Sequence, residues 1–280
     1  MRGILRIDGG EASVDLDDPV SLAIPVDFAP SGPRYFGAPQ ASSRALTTPG
    51  FAGSVAAGAS CNCRTITLTP HGNGTHTECA GHLTREPLDA FRVVPAGLLP
   101  ARLATVAPER AASASETSDP PPAPDDRLIT RRGLAAAVCS SATPPAGSLP
   151  RALVIRTTPA TKPAAAPAAA PESEPPPYLS REAAEWLVER SIEHLVVDVP
   201  SIDRARDEGR LTAHRIFFGL PPGAADLALA RRARCTVTEL ASIPAALPDG
   251  EYLLELQVPA IAGDAVPSRP LLYALQRLEP

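Results

Sequence analysis

The chain has 280 residues, 44% of them apolar, with a net charge of −5 and a pI near 5.6. That is enough apolar material for a real core, and the acidic balance, with no basic run to neutralise phosphates, excludes nucleic acid as a partner. No apolar run of the roughly 20 residues that a membrane helix needs is present, and the first eight residues are too charged for a secretory leader, so a soluble cytoplasmic protein is expected.

In chain order, residues 13–26 alternate enough to predict a strand leading to Ile24-Pro25-Val26, and Pro30, Gly32 and Pro33 then impose a turn. Tyr35-Phe36 is an aromatic pair in a loop; exposed it would wall a pocket, buried it would be ordinary core. Residues 61–69 read as a strand, because Thr65, Ile66, Thr67 and Thr69 suit a pleated surface and Pro70 stops the ladder. Cys61 and Cys63 would share one face of it, read as small buried hydrophobes in preference to metal ligands. The five cysteines, an odd number, make no disulfide framework.

Residues 70–82 hold three of the five histidines, His71, His76 and His82, with Glu78 among them. A transition-metal ion wants neutral imidazoles and carboxylates at about 2.0–2.2 Å, and a short glycine-containing loop can aim such groups at one point. In an extended segment side chains alternate, so His76 and Glu78 fall on one face and a small bend brings His82 alongside. The loop follows a strand, and such rims are where rigid scaffolds hold catalytic groups.

Further along, residues 91–94 and 103–106 are short strand candidates, 108–126 form a Pro- and Ser-rich loop, and 128–137 have helical composition. Residues 153–157 are a buried strand. Residues 158–177 are Pro- and Ala-rich low complexity, expected as an exposed, disordered insertion inside a single domain spanning 1–280. Ser180 caps a helix over 181–190 in which Ala183, Trp186 and Leu187 share a face, and 195–199 form the buried strand that follows, which is α/β grammar. His194 is assigned no chemistry. Residues 211–218 carry His214, and the strand at 235–239 ends on Glu239. Taken singly, His214 and Glu239 read as structural.

The run from His71 to His82 resembles the signature of the cyclase family of metal-dependent hydrolases, kynurenine formamidase-like proteins with the pattern H-x-G-T-H-x-D-x-P-x-H. Gly74, Thr75, His76 and His82 fall in register; the first family His aligns with Gly72, one residue after His71, the Asp is Glu78, and the Pro is Ala80. The likeness continues through 153–157, 200–203 and 247–269. It implies an α/β fold of the swivelling β/β/α type, a single domain with a mixed or barrel-like sheet flanked by helices. It also implies a divalent metal, Zn ahead of Mn, as one ion held by His71, His76 and Glu78, with or without a second held by Glu78, His214 and Glu239. His82 is then the proton shuttle, Thr75 orients the loop, and Tyr35 and Phe36 lie against the substrate. The implied reaction is amide C–N hydrolysis of a small molecule, an aryl formamide such as N-formylkynurenine of tryptophan catabolism or a cyclic imide or lactam, by a homodimer or homotetramer. The alternative, motivated by the displaced histidine and the longer carboxylate, is a metal-poor relative that binds without catalysis.

Overall fold

Runs of β-branched and aliphatic residues that are apolar on both sides belong in the middle of a sheet covered on both faces. The computed structural model, which describes residues 1–7, 10–139, 149–159 and 175–278, places them there. Eleven strands make one mixed sheet: β1 (Arg2–Ile7), β2 (Gly10–Asp15), β3 (Val20–Ser21), β4 (His76–Glu78), β5 (Leu99–Val106), β6 (Ala152–Thr157), β7 (His194–Val197), β8 (Thr236–Glu239), β9 (Gly250–Gln257), β10 (Ala265–Pro267) and β11 (Arg269–Arg277). Their order is β1-β2-β11-β9-β5-β6-β7-β8-β4-β10, with β3 beside β11. Strands β5 to β8 run parallel, and every other pairing is antiparallel.

Among the described residues, five short helices accompany the sheet: α1 (Pro70–Asn73), α2 (Ala90–Val93), α3 (Arg131–Cys139), α4 (Arg181–Glu189) and α5 (Thr212–Phe218). On one face, Leu134 of α3, Ala183, Trp186 and Leu187 of α4, and Phe217 of α5 close over Leu153, Ile155, Leu195, Val197 and Val237. On the other, Leu103, Val154 and Val196 pack with Tyr252, Leu254 and Leu272. The period-two split of each central strand between the two layers explains why both faces are apolar. Helix α4 starts where the sequence places it, with Ser180 Oγ accepting from the Ala183 N–H at 2.9 Å. This is the α/β fold with a large mixed sheet that the sequence implies.

Several local expectations differ. The strand expected at 91–94 is helix α2; the segment is too short for its apolar pattern to tell strand from helix. Residues 127–129 pair as a strand before α3 begins, and the 13–26 strand is two, β2 and β3. The strand expected at 61–69 spans only Arg64–Thr67, in a small hairpin with Ser42–Ala45, so Cys61 is exposed rather than buried and Cys63 is partly so. In the loop at 108–126, Glu109 and Arg110 pair with Leu128 and Arg127. Most of the insertion expected at 158–177 lies outside the described residues. Among the described residues no helix is long and apolar enough to cross a membrane.

His194, at the start of β7, is 3% exposed. Its ring bonds Thr236 Oγ1 at 3.0 Å, and burial, against a weaker pull from Glu193, pushes its pKa from 6.5 down to about 4. Between those values the unfolded chain binds a proton that the folded chain refuses, so stability is lost as pH falls from about 6.5 towards 4, by about 3 kcal/mol for this residue. His194→Gln is expected to flatten that part of the dependence, read by urea unfolding of both proteins at pH 7 and near pH 4.

Candidate metal centre

The site begins with the register of two short strands. β4 lies between β8 and β10, with His76 opposite Glu239, Thr77 opposite Thr238, and Glu78 opposite Val237 on one side and Ala265 on the other. Strand alternation therefore puts His76, Glu78 and Glu239 on one face, while Thr77 and Thr238 meet on the other with their hydroxyls 2.7 Å apart. Because β10 starts beside Glu78, the preceding residue, Asp264, sits at the rim, tied by its carbonyl to the Cys79 N–H.

His71 projects from the single turn of α1. A Cβ at position 72 would stand 2.4 Å from Ala38 Cβ and 3.0 Å from Tyr35 O, so that slot is filled by the neighbouring loop and the imidazole comes from the residue before. His82 follows on a short 3-10 turn, Ala80–Leu83. His214 comes from α5, whose first turn is capped from a distance: Asp203 accepts from the Ala213 N–H at 2.7 Å, the His214 N–H at 3.0 Å and His214 Nδ1 at 2.7 Å. Thr75 Oγ1 donates to Leu240 O and accepts from the Ile24 N–H, which ties the loop down as expected.

The donor atoms converge. His71 Nδ1 lies 3.1 Å from Glu78 Oε2, and its Nε2 lies 3.2 Å from Asp264 Oδ2, the same oxygen that faces His82 Nδ1 at 3.2 Å. His214 Nε2 stands 2.6 Å from Glu78 Oε1 and 3.4 Å from Glu239 Oε1; His76 Nε2 is 3.5 Å from Glu239 Oε2. Three sets of three, His71–His76–Glu78, His71–His82–Asp264 and Glu78–His214–Glu239, each have ligand atoms within 4.8 Å of one another.

This donor set fits a divalent cation. His76 Nδ1 donates to Gly74 O at 3.1 Å and His214 Nδ1 to Asp203, so each turns its Nε2 towards the cluster, where an ion would take the place of a proton. Both Nε2 atoms and both Glu78 oxygens are buried without a hydrogen-bond partner, since the 2.6 Å contact between His214 and Glu78 lacks hydrogen-bond geometry. Polar atoms aimed at one another with no bond between them are what a shared ligand ion satisfies.

Electrostatics agree. Burial alone would raise the Glu78 pKa, but His214, His82 and His71 hold it well below the usual range. Burial and the Glu78 charge push Glu239 up, yet His214 and His76 bring it below its ordinary value. His71 is lowered by burial but carried to about 10 by Asp264 and Glu78. His214 is likewise raised against its burial by Glu78, Asp203 and Glu239, and Asp264 is held low by His71 and His82.

All six sequence-derived residues of the cluster, His71, His76, Glu78, His82, His214 and Glu239, thus meet. Tyr35 is buried and Phe36 exposed, with ring centroids 6.3 Å apart; the Tyr35 N–H bonds Gly72 O, which seats the pair beside His71. Sequence reasoning missed Asp203 and Asp264. Asp203 had a signal, an acid closing a turn after a buried strand upstream of the His214 segment; Asp264 had none.

The family model named Cyclase matches residues 14–204, about two-thirds of the chain. The chain belongs to the Cyclase family. The matched span contains His71, His76, Glu78, His82 and Asp203, and stops before the other cluster residues. A search of curated proteins finds no match. Solved structures with this fold include a predicted metal-dependent hydrolase from Bacillus stearothermophilus (16% identical, 91% of this chain and 98% of that one, TM-score 0.55). They also include isatin hydrolase A from Ralstonia solanacearum (18%, 92% and 92%, TM-score 0.53), and isatin hydrolase A from Labrenzia aggregata bound to benzyl benzoate (17%, 92% and 94%, TM-score 0.55). At these identities the likeness is one of fold.

Asp203→Ala leaves the first turn of α5 uncapped and His214 Nδ1–H without its acceptor. It is expected to cost about 1–3 kcal/mol of stability in urea unfolding at pH 7.

Proposed function

We propose that the chain is a metal-dependent hydrolase that cleaves an amide C–N bond with activated water. The observation that carries this reading is the meeting of four imidazoles and two glutamates from three remote segments, with buried donor atoms that have no hydrogen-bond partner among the described residues. His71, His76 and Glu78 would hold one ion, and Glu78, His214 and Glu239 a second. Imidazole with carboxylate suits Zn first and Mn second. A divalent ion in this position would supply a Lewis acid and bring the pKa of a bound water down towards about 7.

The side chains do the rest. Asp203 keeps His214 in the tautomer with Nε2 bare, and the Gly74 carbonyl does the same for His76. His82, ranged against Asp264, takes a proton from the attacking water and returns it to the leaving nitrogen as the C–N bond breaks. Glu78 and Glu239 remain ionised throughout, which suits ligands and not proton carriers.

Aryl formamides such as N-formylkynurenine are the leading substrates, and isatin-type lactams and cyclic imides the next; the resemblance to isatin hydrolases in fold supports the lactam. The exposed Phe36 ring beside Tyr35 offers an aryl contact. The metal-poor alternative rests on the displaced first histidine and the longer carboxylate, and His71 Nδ1 nonetheless reaches Glu78 at 3.1 Å. We place the protein in the cytoplasm as a homodimer or homotetramer, a state that light scattering would read directly.

The test is elemental analysis of the purified protein together with a hydrolysis screen of formanilides, imides and isatins in Zn and in Mn. Stoichiometric metal and turnover of at least one class are expected; folded protein that binds neither metal overturns the reading. His82→Ala should keep its metal and lose about 10²–10⁴-fold in kcat. Glu78→Gln should lose both metal and turnover.

A further inference from the structure

At the other end of the parallel strands, the residues that lead into β6, β7 and β8 open a cleft of about 800 Å³. It lies one strand length, about 10 Å along β8, from the Glu239 end of the sheet. Among the described residues, its wall carries Arg92, Arg151, Arg231, Arg232 and Arg234 against one carboxylate, Glu193, in a chain whose net charge is −5.

The fold accounts for only some of those charges. Arg151 pairs with Glu193, and Arg92 Nε with Asp89 at 3.1 Å. Arg232 lies over the Phe217 ring at 4.9 Å and donates to the carbonyls of Phe217 and Ile192, so it is held in place chiefly by neutral groups, with Glu193 near enough to feel its charge. Among the described residues, the side chains of Arg231 and Arg234 make no hydrogen bond or ion pair. That leaves the exposed Arg231 and Arg234 uncompensated at the rim of a concavity whose other arginines add to the same sign of field, and a concave wall of one sign focuses its field on an entering counter-charge. The volume is that of a small-molecule site, and the guanidinium fork matches phosphoryl oxygens two at a time.

We propose that this cleft binds a small polyanion of the phosphate-ester or pyrophosphate class. The proposal stands apart from the hydrolase reading, because none of these arginines belongs to the metal cluster.

Isothermal titration of the full-length protein with inorganic pyrophosphate, at low salt, should show saturable binding. The charge-reversed variant R231E/R234E should weaken it at least about tenfold, the scale of one lost charge-assisted pair. R6E, which makes the same kind of charge change on exposed β1, should leave it nearly unchanged. In the unsubstituted protein, pyrophosphate should also protect Arg231 and Arg234 from phenylglyoxal; this arm decides the matter if the double variant does not fold, and separates the cleft from the metal cluster. No binding up to about 10 mM, equal weakening in R6E, or absence of protection overturns the proposal. Tighter binding of citrate than of pyrophosphate would overturn the phosphate assignment.

Discussion

Glu78 is 1% exposed and neither of its oxygens accepts a hydrogen bond. An ionised carboxylate so placed costs on the order of several kcal/mol unless positive charge stands against it. Three imidazoles face it, and each arrives by a different route: His71 from the turn before β4, His82 from the turn after it, and His214 from α5. The arrangement of the chain around β4 is what brings them within reach, and the unsatisfied oxygens are why the region reads as a place for an ion and not as a self-contained salt bridge.

The groups behind the cluster matter as much as those in it. Asp203 couples two tasks, ending the exposure of the first N–H groups of α5 and fixing which nitrogen of His214 points inward. Asp264 touches both His71 and His82 with one oxygen. Glu239 is anchored by the Ile202 N–H, which donates at 2.8 Å to the same Oε1 that faces His214, so the segment after β7 positions both Asp203 and the end of β8. Asp203, Asp264 and Glu239 each have a hydrogen-bond partner that fixes their direction, while both Glu78 oxygens are left open to a ligand ion.

Much of this was legible in the amino-acid sequence because the chemistry is local there. His76 and Glu78 are two apart and so share a strand face, and the β-branched runs at 153–157 and 195–199 could hardly lie anywhere but in a covered sheet. His214 and Glu239 were visible through resemblance and not through spacing, since their relation to His76 is one of tertiary register. Asp264 was illegible: it reaches the site by pairing of β10 with β4 across 186 positions of sequence, the distance from Glu78 to Asp264. Residues 91–94 misled because four residues carry no period, and Cys61 because the hairpin at 64–67 starts later than its composition suggests.

The hydroxyl pair of Thr77 and Thr238 on the back of β4 and β8 bears on how this gene can vary. With only three residues in β4, inserting or deleting one codon there would turn every side chain over, presenting a threonine where a histidine and a glutamate now stand. The same codon added in an exposed loop turns over no strand and adds little closure entropy. Length changes tolerated by a functional lineage would accordingly collect in its surface excursions and spare this short ribbon.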